Sequence, residues 1–154
     1  MDAALELISH CLNHDLASQN KFYHRFAPKM FGICQRYAKN EMEAEDMLQI
    51  GFLRVFNNLH QYRFEGSIEG WIMRIIINSA INFNKKQLKP VREVYLEELS
   101  TEATFSEDAL SILSTKELLE IIQNLPTGHR MAFNLHEIEG YEHKEIAVML
   151  GISE

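Results

Sequence analysis

Apolar residues recur at intervals of three and four along nearly the whole chain, and this period predicts a fold made of helices. The segment SQNKFYHRFAPKMFGICQRYAK, for example, places Phe22, Phe26, Met30, Ile33 and Tyr37 on one stripe. Such a stripe is typical of a helix that is buried along one side. No alternating run is followed by hairpin turn chemistry, so we predict no strand pair. The predicted fold class is therefore all-α.

Helix boundaries are indicated by capping residues. The segment DAALELISHCLN predicts an opening helix with Ala4, Leu5, Ile8 and Leu12 on its apolar stripe. A later helix is predicted after Asn40, because Glu43 follows three residues on, as in a capping box. The glycines of QYRFEGSIEG indicate a loop, with Ser67 placed to cap the helix that IEGWIMRIIIN begins.

The second half of the chain predicts three further helices. SEDALSILSTKELLEIIQNL is predicted to be capped by Ser106 and closed by Pro126. TGHRMAFNLHEIEG is predicted to end at Gly140, and HKEIAVMLG at Gly151, since glycine is the usual residue after a helix. Ile146, Ala147, Leu150 and Ile152 then form a small apolar core.

Charge is unevenly distributed along the chain. The net charge of −7 over 154 residues argues against a free-standing nucleic-acid binder. Residues 85–92, KKQLKPVR, nevertheless hold four basic residues and no acid, and residues 93–120 hold eight acids and one lysine. We predict an N-terminal bundle over residues 1–89, an acidic linker over 90–109, and a second helical domain over 110–154.

Several classes of protein are not indicated. The N-terminus MDAALELISH lacks the basic stretch and apolar core of a signal peptide, and the apolar run WIMRIIINSAI is too short to span a membrane. Two cysteines, Cys11 and Cys34, suit a reducing compartment, so we expect a cytoplasmic protein. His129, His136 and His143 recur every seven residues, but Gly140 interrupts the helix, so we expect no common face and no metal site.

Neither a nucleophile elbow nor a phosphate-binding glycine loop occurs, so we expect no enzyme activity and no cofactor.

Three motifs in order resemble the extracytoplasmic-function (ECF) sigma factors of bacterial RNA polymerase. They are AEDMLQIGFLRVF, then FEGSIEGWIMRIIIN, then LPTGHRMAFNLHEIEGYEHKEIAVMLGIS. Each motif alone is of moderate specificity, but their order and spacing are a strong signal. The resemblance covers about residues 8–89 and 110–154. It implies sigma domain 2 for the N-terminal bundle and sigma domain 4, a helix-turn-helix domain, for the C-terminal part.

The first motif implies a contact with core RNA polymerase. In the resembling family this helix docks on a coiled coil of the large polymerase subunit, where a carboxylate and an amide suit arginine side chains. Taken in isolation, Asp46 is more typical of a solvated helix start than of an interface. Ile50 stands where the family usually has a second acid, which indicates a more apolar contact. The polymerase-binding residues implied are Asp46, Leu48, Gln49, Phe52 and Arg54, although the helical period turns Leu48 and Phe52 inward together with Met47.

The second motif implies a contact with the melted −10 strand of promoter DNA. Trp71 alone is typical of a core residue, and Arg74 fits either packing or a phosphate contact. The neighbouring aromatic, amide and lysine side chains suit stacking on bases, reading of base edges and binding of phosphates. The DNA-binding residues implied are Phe64, Trp71, Arg74, Asn78, Asn82, Lys85, Lys86 and Lys89.

The third motif resembles the first part of a helix-turn-helix. Ser153 fits the N-cap of a recognition helix, of which only Glu154 follows, so the sigma domain 4 is predicted to be incomplete. The resemblance also implies an anti-sigma protein as a partner. An alternative from another class is a decoy, a helical interaction module that binds polymerase or an anti-sigma protein without starting transcription.

Overall fold

The structure, a computed structural model, describes residues 3–88 and 114–151, and within these ranges it contains helices and no strand. The all-α prediction is therefore confirmed for the part of the chain described. The predicted linker, residues 90–109, lies outside it. In chain order the helices are α1 (Ala3–Leu12), α2 (Leu16–Tyr37), α3 (Glu41–Asn58), α4 (Ile68–Leu88), α5 (Thr115–Asn124), α6 (Thr127–Phe133) and α7 (His143–Leu150).

The N-terminal bundle is built from α2, α3 and α4, with α1 packed on α2. The predicted stripe of α2 is buried, and Met30 and Tyr37 are fully inaccessible. Helices α3 and α4 approach closely at Gly51, where an added Cβ would lie 2.5 Å from the Cδ1 atom of Ile76. A bulky side chain at this position would therefore force the two helices apart.

The predicted apolar stripe of α1 is confirmed at Ile8 and is wrong at Leu5 and Leu12. Leu5 and Leu12 are 37% and 39% exposed, whereas Ile8 and Cys11 are buried. Residues 4, 7, 8 and 11 face α2, and a stripe centred there leaves Leu5 and Leu12 on its flank.

Two of the predicted helix starts are confirmed, and a third requires correction. The Asn40 side chain accepts a hydrogen bond from the Glu43 N–H at 2.8 Å, and Ser67 Oγ accepts from the Gly70 N–H at 3.0 Å. Helix α5 begins at Thr115 and is capped by Ser114, which forms a capping box with Glu117. Ser106, the predicted cap, lies outside the described residues.

The second domain packs on the first through its middle helix. Met131 and Leu135 are fully buried in the same apolar cluster as the bundle core. Helix α6 continues as a π-helical turn, Asn134–Ile138, which the sequence did not predict. Gly140 (φ 81°) and Gly151 (φ 68°) lie in the left-handed region just beyond the helical segments that they were predicted to end.

The small core predicted for the helix-turn-helix is buried where it is described. Ile146, Ala147 and Leu150 are buried, and Ile152 lies outside the described residues.

The two cysteines are buried thiols. Burial raises the pKa of Cys34 to about 12 and also raises the pKa of Cys11, so both thiols are protonated at neutral pH. The flanking His10 and His14 are exposed. Within residues 3–88 and 114–151, no helix combines the length and apolar character needed to cross a membrane.

Candidate functional site

A short loop before α4 presents one aromatic ring to solvent. Tyr62 is buried, and its ring centroid lies 4.9 Å from that of Phe64 and 5.5 Å from that of Trp71. Its hydroxyl donates a hydrogen bond to the Gly66 carbonyl at 2.8 Å, which closes the loop. Tyr62 was not among the residues predicted from the sequence, although an aromatic residue just before a glycine loop is a usable signal.

Phe64 is held in an unusual backbone conformation at the tip of this loop. Its φ of 60° is in the left-handed region, and its side chain is 51% exposed. Both features are unfavourable for a large aromatic residue, and strained residues of this kind cluster at functional sites. The exposed ring is therefore a candidate for stacking against a ligand.

Polar side chains continue from the loop along one side of α4. Arg74, Asn78 and Asn82 are exposed, and Trp71 and Lys85 are half-buried. Their spacings of three and four place them in one row about 21 Å long. Lys86 is exposed beside this row, and Lys89 lies outside the described residues. The row together with Phe64 is called the α4 face below.

An open cleft of about 310 Å³ lies where the loop meets α4. Its lining residues are Glu65, Gly66, Ser67, Gly70, Trp71 and Arg74. Gly70 belongs to the segment that was predicted to be a loop, but it lies within α4, and an added Cβ would lie 3.0 Å from Ser67 Oγ. Its small size therefore leaves room for the capping serine.

Exposed cations outnumber exposed acids around the α4 face. Arg63, Arg74 and Lys86 are exposed there, and Glu65 in the lining of the cleft is an exposed acid. Glu69, near the start of α4, is paired with Lys29 of α2, with 3.2 Å between Nζ and Oε1. Because the Glu69 carboxylate is paired with a cation, it repels a phosphate less than an unpaired carboxylate would.

A second exposed surface runs along α3. Asp46 and Gln49 are exposed beside the apolar side chains of Met42 (74% exposed), Ile50 (39%) and Leu53 (65%). These five residues are called the α3 face below. Large apolar side chains exposed in a row indicate an interaction surface. Met42 and Leu53 were missed, although their spacing from Asp46 and Gln49 places them on the same side of the helix.

Two of the polymerase-binding residues predicted from the sequence are corrected by the structure. Leu48 is 7% exposed and Phe52 is 3% exposed, because both point into the bundle. The Phe52 ring packs against Tyr23, with 4.9 Å between centroids. Neither side chain is available to a partner, and their role is to hold the α3 face in place.

Arg54 is directed towards α4 rather than along the α3 face. Its Nη1 donates to Ser79 Oγ at 3.4 Å, and the side chain is half-buried. Arg54 therefore contributes to packing between α3 and α4 and lies at the margin of the exposed surface.

The histidines of the second domain come closer together than predicted. The rings of His136 and His143 stack with their centroids 4.3 Å apart, because the chain reverses at Gly140 and returns α7 alongside the π-helical turn. Among the described residues there is no group of three or more metal-ligating side chains.

Comparison with known proteins identifies the family. Residues 22–89 match the family model described as Sigma-70 region 2, and residues 115–154 match that described as Sigma-70, region 4. The chain is 31% identical over 129 residues to the RNA polymerase sigma factor CarQ of Myxococcus xanthus, which covers 84% of this chain and 74% of CarQ. It is 25% identical over 155 residues to the ECF RNA polymerase sigma-E factor of Haemophilus influenzae, covering 94% of this chain and 82% of that protein.

A solved structure with a weaker likeness is the sigma factor RpoE in complex with the anti-sigma factor NepR from Bartonella quintana. The TM-score is 0.49 at 15% identity, and the likeness covers 87% of this chain and 83% of that one. The family assignment does not depend on it. The chain belongs to the sigma-70 family, as a member of its extracytoplasmic-function group, and is a transcription initiation factor.

Proposed function

We propose that this chain binds core RNA polymerase through the α3 face and holds the melted −10 strand of the promoter on the α4 face. The observation that carries the proposal is the exposed, strained Phe64, whose ring packs on Tyr62 as Trp71 does, together with the exposed amides of α4. An aromatic ring, amides and nearby cations are the groups that single-stranded DNA binding requires.

The α3 face suits a partner that offers both arginines and apolar side chains. Asp46 and Gln49 provide one carboxylate and one amide for charge-assisted hydrogen bonds. Ile50 and Leu53 provide exposed apolar area around them. We propose the large-subunit coiled coil of polymerase as this partner, with apolar contact replacing part of the ionic contact, so that binding depends weakly on salt.

Each kind of contact with single-stranded DNA has a candidate side chain on the α4 face. Phe64 would stack on an unpaired base, and Asn78 and Asn82 would form hydrogen bonds with base edges. Arg74 and the lysines after it would bind phosphates. The cleft beside Trp71 is a candidate site for a base that has left the stack.

The other parts of the chain complete the proposal. Residues 1–89 would act as the polymerase and −10 domain, residues 90–109 as a linker, and residues 110–154 as a domain directed to the −35 element. The net charge of −7 is consistent with this, because DNA affinity is then supplied by polymerase. We also propose a cytoplasmic location, an anti-sigma protein as a regulator, and no enzymatic turnover by the chain itself.

The test is transcription with core polymerase on promoters selected from a random library. Enrichment of a shared −10 sequence together with abortive or full transcripts supports the proposal. Tight binding to core polymerase with no transcript from any promoter would instead support the decoy.

We expect Asp46→Ala to weaken binding to core polymerase about two- to fivefold. The carboxylate is exposed, so its loss removes one charge-assisted contact and leaves the fold intact. Fluorescence titration with labelled core polymerase measures the affinity, and circular dichroism checks that helicity is unchanged. Glu45→Ala is the matched control, because Glu45 is an exposed acid one position before Asp46. Equal affinities of the parent and both variants would show that Asp46 does not belong to the interface.

We expect Asn78→Ala to reduce promoter opening about five- to tenfold and to leave binding to core polymerase unchanged. The amide is exposed in the middle of the α4 face, and among the described residues no hydrogen bond joins it to another helix of the bundle. Permanganate reactivity of unpaired thymines measures opening directly. If the variant opens the promoter as well as the parent does, Asn78 does not read a base.

A further inference from the structure

Among the described residues that line the cleft between the loop and α4, Glu65 is the one acid. It was not among the residues predicted from the sequence to bind DNA. Its side chain is exposed, and no cation of the described residues forms an ion pair with it. An unpaired carboxylate repels the phosphates of a bound strand. A carboxylate at this position is therefore favourable only if it accepts hydrogen bonds from the bound DNA.

The other polar side chains of the cleft are hydrogen-bond donors. Arg74 has a guanidinium, which donates and never accepts, and Trp71 has one indole N–H. Ser67 Oγ already accepts from the Gly70 N–H at 3.0 Å, so its own hydrogen is available to donate. Glu65 is therefore the side chain that decides which donors a bound base must carry.

The shape of a carboxylate determines which base satisfies it. Its two oxygens accept side by side, so they fit a base edge that has two adjacent donors. Guanine has such an edge, formed by N1–H and the N2 amino group. Adenine and cytosine have a ring-nitrogen acceptor beside their amino group, and thymine has a carbonyl on each side of its N3–H. With these three bases, the second carboxylate oxygen would face an acceptor and be repelled.

The cleft has the size and the preformed shape that such a base needs. Its volume of about 310 Å³ is that of about ten water molecules at roughly 30 Å³ each, which is enough for a purine. Glu65 stands between Phe64 and Gly66, which have φ angles of 60° and 75°. The Tyr62 hydroxyl donates to the Gly66 carbonyl at 2.8 Å, so the loop that carries the carboxylate is closed before DNA binds.

We infer that the cleft takes an unpaired guanine of the promoter strand, with Glu65 accepting hydrogen bonds from its N1–H and its N2 amino group. The inference rests on the proposed function, in which this cleft receives a base that has left the stack, and it adds which base is chosen and which residue chooses it. Arg74 has several N–H groups, so it can donate to guanine O6 and still bind a phosphate. Other bases are rejected because they leave the carboxylate without its hydrogen bonds.

The test compares promoters that differ in a single base. Core polymerase with the parent chain first selects promoters from a random library. A guanine enriched within the −10 element is then replaced by each of the other bases and by hypoxanthine, which lacks the N2 amino group. We expect the parent to open the guanine promoter about 5- to 100-fold better than those with the other bases. Opening, measured by permanganate reactivity, should fall about three- to tenfold with hypoxanthine.

Glu65→Gln replaces one acceptor of the carboxylate with a donor. It should move the preference from guanine to adenine, because an amide matches the adjacent donor and acceptor of adenine. Guanine and hypoxanthine should then be opened equally, a result that general damage to the loop would not produce. Glu69→Gln is the matched control, since it removes an acid at the start of α4 that does not line the cleft. It should change opening of all the promoters by the same factor.

A preference for guanine that survives in Glu65→Gln would overturn the inference and leave the proposed function in place. A parent that enriches no guanine within the −10 element, or that opens guanine and hypoxanthine promoters equally, would do the same. If the parent opens no promoter at all, the proposed function fails and the inference fails with it.

Discussion

Phe64→Ala is expected to reduce promoter opening about 10- to 100-fold while leaving affinity for core polymerase unchanged. Stacking of one base on an aromatic side chain contributes about 1–3 kcal/mol, and the Phe64 ring is 51% exposed at the tip of its loop. Because half of the side chain is in solvent and its one recorded ring contact is with Tyr62, its removal should change the free energy of unfolding by only about 1 kcal/mol. Permanganate reactivity on a fixed promoter, at saturating polymerase, measures the loss.

Two further substitutions at this position separate stacking from simple apolar contact. Phe64→Tyr keeps the ring and should open the promoter like the parent. Phe64→Leu keeps most of the apolar volume without a π-face and should resemble Phe64→Ala. Opening that survives in the leucine variant would show that Phe64 supports the loop rather than a base.

Part of the α4 face was predictable from the sequence because helical spacing fixes direction. Arg74, Asn78 and Asn82 lie four residues apart, and the structure places all three on the exposed side of α4. The backbone strain at Phe64 was not predictable, because it results from how Tyr62 and Gly66 close the loop. Loop geometry depends on contacts that the helical period does not encode.

The contact between the two domains could not be predicted from the sequence. Arg130 and Tyr37 are 93 positions apart, and a basic residue near the start of a helix gives no sign that it will be buried. The π-helical turn is likewise set by tertiary contacts, since Asn134 bonds to Arg36 as well as to its own helix. Sequence patterns predicted which segments are helical, but not which polar groups join them.

Along α3 the helical period predicted Phe52 on the inward side, whereas the family resemblance implied it as a polymerase contact. The pattern of apolar residues places Phe52 and Leu53 side by side, and both are suitable for either a core or a partner. Only the packing of α3 against its neighbours shows that Phe52 is 3% exposed and Leu53 is 65% exposed. Because Phe52 belongs to the core and Leu53 is exposed, substitutions at these two neighbouring positions can be compared directly.

We expect Phe52→Ala to lower the free energy of unfolding by about 3–5 kcal/mol, the usual cost of removing a buried phenylalanine. Its ring packs between Tyr23 and Phe56, so truncation leaves a cavity in the centre of the bundle. Leu53→Ala should change the free energy of unfolding by no more than about 0.5 kcal/mol, because that side chain is mostly in solvent. Urea unfolding followed by circular dichroism measures both values.

The same pair of variants should show the opposite order in binding to core polymerase. Leu53→Ala is expected to weaken binding about tenfold, since it removes a large, mostly exposed apolar side chain from the α3 face. Phe52→Ala, measured at a temperature where the variant remains folded, should bind within about twofold of the parent, because its side chain never reaches the partner. A reversed order, in which Phe52→Ala is stable yet fails to bind, would place the polymerase contact on the opposite side of α3 and exclude the proposed interface.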